Sequence, residues 1–324
     1  MKKNFTLLVL ALSFVFLTAC QQPAPQNTVK TPKIQDIQVY TADNTDGIIS
    51  PKSIEYSFDT LGLRFVSNKD MNKLFIQKFH KQDYKIYNLA IFTNNDFTLR
   101  LLEKYPKFAL LSSLSMSIWE DKNGKISIAT LSKHGIAKIA QIPLDDADLI
   151  AYTQLIKKAL VASMPKGSFT KLKYSSRVYE KTSALTFSKY VKLNETQTYE
   201  EYIEDFENNF EDKMEAEQFR FSSYMNLEEE IFKDKKEEVK YDFFHTYSIS
   251  NLDMVYSISK QYPELGAFVP NIYYVYKKSS ENKMKIGFLD IDFMIHSFNI
   301  QDEEKLNILH AMQSKIIHIT KGLL

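Results

Sequence analysis

Residues 84–106 read YKIYNLAIFTNNDFTLRLLEKYP, and residues 241–263 read YDFFHTYSISNLDMVYSISKQYP. A slide of 157 residues lays Tyr84 on Tyr241, Asn94 on Asn251, Asp96 on Asp253, Tyr105 on Tyr262 and Pro106 on Pro263. Phe75 over Phe232 and Lys78 over Lys235 carry the match upstream. One extra residue in the second copy, near Ser279–Asn282, brings Leu131 against Leu289. Self-similarity at a long period points to one folding unit written twice. Each stretch opens with aromatic and β-branched residues that predict a strand, 84–93 and 241–250. Asn94 and Asn251 then stand where a helix N-cap belongs, with Asp96 and Asp253 in the first turn to complement the dipole. Phe97, Leu101 and Tyr105 in one copy, and Met254, Ile258 and Tyr262 in the other, form apolar stripes at helical spacing. Pro106 and Pro263 close both helices, because the residue before a proline is driven out of the helical region.

The flanks extend the pattern. Leu114, Met116 and Ile118 alternate with Ser113, Ser115 and Ser117, which predicts a strand with one wet face. Asn123-Gly124 predicts a type I′ hairpin into 125–131. In the second copy Ile272, Tyr274 and Tyr276 replace the polar face, so that strand is expected to be covered on both sides, by another domain. Upstream, each copy carries an amphipathic helix and a strand. The second such helix is long, with Tyr199, Ile203, Phe206, Phe210 and Met214 on one face. The first begins at Ser50-Pro51, an N-cap followed by proline at N1. Terminal helices are expected near 145–161 and 302–318.

This order of elements, best seen in 88–128, resembles the bacterial "domain of unknown function 302" family. Pro270 keeps that family's proline at the start of the second strand, whereas the first copy has Ser113. The resemblance implies a compact α+β domain that pairs with a second copy, and it brings no activity with it. The expected architecture is α+β, two tandem copies of a sheet-plus-helices domain packed as an intrachain pseudo-dimer. The copies are placed at 34–165 and 168–324, joined near Met164-Pro165-Lys166-Gly167.

The front of the chain reads as an address. Lys2 and Lys3 precede the apolar run Phe5–Leu17, too short for a helix that must cross hydrocarbon with about 20 residues. The run ends in Leu17-Thr18-Ala19-Cys20, which resembles a bacterial lipoprotein signal, and Cys20 is the chain's one cysteine. The expectation is a signal peptide at 1–19, then acylated Cys20 and a Pro- and Gln-rich tether at 20–33. Acyl chains on Cys20 would hold the protein to membrane lipid. Gln21, rather than Asp, at the second mature position favours the outer membrane, facing the periplasm.

Chemistry is sparse. One cysteine leaves no intrachain disulfide framework and no Cys-rich metal site. The formal charge of +1, becoming −1 once 1–19 are removed, leaves no nucleic-acid partner expected. None of the six histidines falls into HExxH, and His310 and His318 lie roughly 12 Å apart along one helix, so no metal site is expected. P-loop, GxSxG and GxGxxG patterns are absent, and no catalytic residue or cofactor is assigned. The best constellation is Asp290 and Asp292, whose i, i+2 spacing on a strand would put both carboxylates on one face. Such a pair could serve as acid and base or hold a hard cation; Lys283 and Lys285 on the preceding segment offer the alternative of an exposed, charge-paired face. Twelve acids against two bases in 199–230 suggest docking of a basic protein partner, or simply a solvated face. The sequence therefore supports a lipid-anchored envelope protein that binds rather than catalyses. The alternatives are an enzyme using Asp290 and Asp292, or a small-molecule or haem carrier using His318 or His245.

Overall fold

The computed structural model describes residues 35–232 and 241–324; Cys20 and the segments expected to be leader and tether lie outside them. The first half runs β1 (Ile37–Asp43), α1 (Pro51–Thr60), β2 (Arg64–Asp70), α2 (Met71–Phe79), β3 (Ile86–Thr93), α3 (Asn95–Lys104), β4 (Leu114–Glu120), β5 (Lys125–Leu131), α4 (Lys133–Ala140) and α5 (Ala147–Ser163). A short β6 (Ser168–Thr170) follows. The second half runs β7 (Ala184–Tyr190), α6 (Tyr199–Ala216), β8 (Phe219–Asn226), β9 (Tyr241–Asn251), α7 (Leu252–Ser259), β10 (Asn271–Lys278), β11 (Lys283–Leu289), α8 (Ile291–Phe298) and α9 (Glu303–Leu323).

Two antiparallel sheets result, ordered β2-β3-β4-β5-β1-β6 and β7-β11-β10-β9-β8. Read from β2 and from β8 the first five strands come in the same order, with β6 an addition to the first sheet, so the chain is α+β with its sheet-and-helix unit present twice. Both units also share detail that spacing alone could not show. Asn94 accepts a hydrogen bond from Phe97 N at 2.9 Å, and Asn251 from Met254 N at 3.1 Å. Each cap amide donates back to the turn that leads into the edge strand, Asn94 to Gly62 O and Asn251 to Gln218 O. Gly62 and Gln218 both adopt positive φ, 78° and 65°. The second copy thus holds a glutamine where the left-handed conformation favours glycine.

Helices cover the outer face of each sheet. Phe58 on α1 meets Phe92 on β3 edge to face, and Phe210 on α6 stacks on Tyr273 of β10 at 4.4 Å between centroids. α6 begins with a full capping box, Thr198 with Glu201, and buries Ile203, Phe206, Phe210 and Met214, the expected stripe. β1 and β7, which no sequence pattern announces, stand on the far side of each sheet by pairing with β5 and β11.

The inner faces meet the other half, and here the serine strand departs from expectation. Every residue of β4 is buried, and Ser113 and Ser115 are too. The face is covered by the 3₁₀ turn Pro263–Ala267 that follows α7. A Cβ built on Gly266 would stand 2.4 Å from Ser117 N, so only glycine fits above this serine. Ser115 Oγ donates to Pro270 O at 2.9 Å and Ser113 Oγ to Met225 Sδ at 3.0 Å, both across the seam. Small hydroxyls serve here as close-packing partners. The fully covered β10 agrees with expectation: Ile272 faces Leu110 and Leu111, from the matching 3₁₀ turn Pro106–Leu111 of the first half. The two turns make a reciprocal contact of the kind a two-fold dimer makes.

Two local details also differ. The hairpin after β4 is not type I′: Gly124 takes φ 78° while Asn123 stays in the ordinary region, and Asp121 Oδ1 accepts from Asn123 N and Lys125 N. That carboxylate stabilises a longer turn ending on the glycine. β6 joins the first sheet beside β1, so this sheet runs past the junction expected at 165–168. Gly167 permits the approach, since a Cβ there would lie 2.5 Å from the Tyr40 ring.

The Gly266–Ser117 contact generates a stability test. Gly266→Val forces a side chain into backbone and should cost roughly 2–3 kcal/mol by overpacking, read as a lowered midpoint in urea unfolding. Gly322→Val, at a position with open space around it, should change little.

Candidate functional site

The two edge strands β2 and β8 approach one another across the seam without pairing. Both carry a bulge at the same place: Phe65 opposes Phe92 but Ser67 opposes Ile91, and Phe221 opposes Ile249 but Ser223 opposes Ser248. A bulge bends an edge strand and keeps it from adding another strand. A cleft of about 510 Å³ opens between them. That is a size suited to a small molecule.

Its floor is apolar. Met71 and Leu74 come from α2, Leu89 from β3, Leu252 from α7, with Pro270 between. Hydroxyls of Ser67, Ser222 and Ser250 line the walls, and none has a hydrogen-bond partner among the described residues. Three cations stand at the rim, Lys69, Lys78 and Arg220. Lys78 is held by Asp253 at 2.8 Å, bridging the two halves. Lys69 and Arg220 are exposed and form no ion pair among the described residues. No single segment announces this site, since its lining comes from six elements of both copies.

The residues singled out from sequence lie elsewhere. Asp290 and Asp292 do not share a strand face, because β11 ends at Leu289 and the chain turns into α8. The run Ile291–Phe298 is apolar on several sides and folds as a buried helix, which alternation over three residues could not distinguish from a strand. Asp290 is its N-cap, buried, accepting from Asp292 N, from Gln313 Nε2 at 3.2 Å and from Tyr179 Oη at 2.6 Å. Burial, then the Asp290 carboxylate, push the Tyr179 hydroxyl well above its ordinary range. Asp292 pairs with His310 Nε2 at 2.9 Å and lies 3.7 Å from Lys181. His318 is exposed on α9.

His245 is buried on β9, with Nδ1 2.5 Å from Glu207 Oε1. The same oxygen accepts from Tyr247 Oη. Glu207 belongs to the acidic helix α6, so one of its carboxylates turns inward to satisfy polar atoms on the sheet. Among the described residues, no group of three or more His, Cys, Asp or Glu converges to hold a metal, and no helix is long and apolar enough to cross a membrane.

The seam also buries Glu264, in the turn above Ser117, where it accepts from Tyr174 Oη at 2.6 Å. Burial raises the Glu264 carboxyl, and the Tyr174 hydrogen bond opposes only part of that.

No family model and no curated protein matches the chain. Among solved structures, it is similar to the crystal structure of an uncharacterized conserved protein, DUF302, from Bacillus stearothermophilus. The identity is 13%, the TM-score 0.35, and the alignment spans 43% of this chain and 96% of that one.

Glu264 provides a pH test. A carboxyl raised in the folded state contributes stability that is complete below its unfolded range and is lost as pH rises through the folded value. Glu264→Gln, which keeps an acceptor for Tyr174, should therefore melt higher than the parent at neutral pH. The gap should close as pH falls into the ordinary glutamate range.

Proposed function

We propose that this protein is a lipid-anchored envelope protein, built by duplication of a DUF302-like domain, that acts by binding a small molecule in the cleft between its two halves. The observation that carries the binding reading is the cleft itself: an apolar floor with cations at its rim and hydroxyls that have no hydrogen-bond partner among the described residues, at the seam of two sheets that turn their edges away from pairing. The anchor reading rests on the Leu17-Thr18-Ala19-Cys20 pattern. Acylated Cys20 would hold the chain to membrane lipid, in the outer membrane facing the periplasm by the Gln21 argument. The carboxylates on the outer face of α6 are the surface offered to a basic protein partner, and the near-neutral net charge favours no nucleic-acid partner.

Two measurements separate the halves of this reading. Full-length protein should incorporate labelled palmitate and sediment with membranes, and Cys20→Ser should abolish both. Native mass spectrometry of the secreted Cys20→Ser chain should show a stoichiometric added mass that disappears on denaturation. Leu74→Trp, which fills the cleft floor, should remove that mass while leaving the fold intact; an unliganded parent chain argues against the binding reading.

A further inference from the structure

The seam has two related corners, and they are not filled alike. Arg64 opens β2 and Arg220 stands at the matching place on β8, each opposite its neighbour strand at Thr93 or Ser250. Arg64 crosses the seam to Glu230 of the second half, Nη2 to Oε2 at 3.5 Å. The shift of 157 residues that lays Phe75 on Phe232 sets Glu230 opposite Lys73, one residue more than the 156 that separate Arg64 from Arg220. At the other corner Arg220 therefore faces an element whose corresponding residue is a cation, with Lys69 added at the rim and Lys78 already committed to Asp253. One corner contains its own counter-charge. The other has none for Lys69 and Arg220 among the described residues, and that is where the cleft lies.

Resting on the reading of the cleft as a binding site, we infer that its ligand is an amphipathic organic anion. Its charged head would be held by Lys69 and Arg220, one from each copy, and its apolar body would lie on Leu74, Leu89 and Leu252. An anionic head supplies at this corner what the Glu230 carboxylate supplies at the other. Arginine and lysine donate charge-assisted hydrogen bonds to such a head, and the free hydroxyls of Ser67 and Ser222 complete its solvation. A bare inorganic anion would leave the apolar floor uncovered, and a neutral apolar molecule would leave two cations without a partner.

The test is isothermal titration of the secreted Cys20→Ser chain with three probes: decanoate, decyltrimethylammonium and inorganic phosphate. Decanoate should bind one per chain, more tightly than either of the others by at least ten-fold. Lys69→Ala with Arg220→Ala should weaken decanoate at least ten-fold while leaving the unfolding midpoint unchanged, since both side chains are exposed. Leu74→Trp should abolish binding at an unchanged fold. Equal binding of the cationic amphiphile, or no effect of the double variant, overturns the anion assignment and leaves a cleft that binds apolar molecules. Absence of decanoate binding also overturns it. In that case a co-purifying mass lost in Leu74→Trp preserves the binding reading, and a clean mass removes both.

Discussion

The approach of Gly266 to Ser117 sets the geometry on which the rest of the molecule depends. Backbone lies on backbone there, so the distance between the two inner surfaces is fixed by atoms that have no rotamers to adjust. The reciprocal turn, Pro106–Leu111, fixes the other side against Ile272. With both contacts made, the sheets cannot slide, and their edge strands β2 and β8 come near one another at a set distance. Unbulged, two such edges would tend to pair into one continuous sheet. The matched bulges prevent that, and the space left over is the cleft. A site formed this way needs no dedicated loops. It follows from how two copies of one unit are docked.

What could be read from the sequence was whatever is local and repeated. The Asn cap and the opening of the helical stripe depend on neighbours within a few residues, and both copies state them at the same spacing; the Tyr-Pro stop holds for α3, which ends at Lys104, whereas α7 already ends at Ser259 and Pro263 opens a 3₁₀ turn beyond it. The serine face of β4 was legible as alternation but not as burial. Alternating serine looks the same under water and under glycine. Only the position of the Pro263–Ala267 turn, 146 or more residues further along, decides between them. The strand placement of Asp290 and Asp292 fails for a related reason. Three alternating residues suit a strand, but Asp290 stands where a helix N-cap can form and the apolar run behind it continues on more than one face. The cleft was invisible because its lining is spread over both halves.

Divergence between the copies is most informative where the pseudo-symmetry would otherwise demand the same thing twice. An isologous contact between identical chains presents every pair of residues at both corners. Joining the copies in one chain removes that obligation. Glu230 can neutralise Arg64 without a second glutamate appearing beside Arg220, where the aligned residue is Lys73. Likewise Glu207 reaches His245 and Tyr247 inside the second half only, because the corresponding helix of the first half is shorter and carries no matching acid.

An asymmetric seam has an energetic cost that a purely structural interface would avoid. Lys69 and Arg220 line one cleft as like charges, which repel, and no carboxylate among the described residues lines it with them; exposed charge of one sign is stabilised by solvent only while water can reach it. Substituting one of them by an acid would relieve that repulsion by a single-residue change, of the sort already present at the opposite corner. Retaining two uncompensated cations above an apolar floor makes physical sense when a third party supplies the negative charge. The same duplication that locks the two sheets together through Gly266 thus leaves one corner open to a ligand.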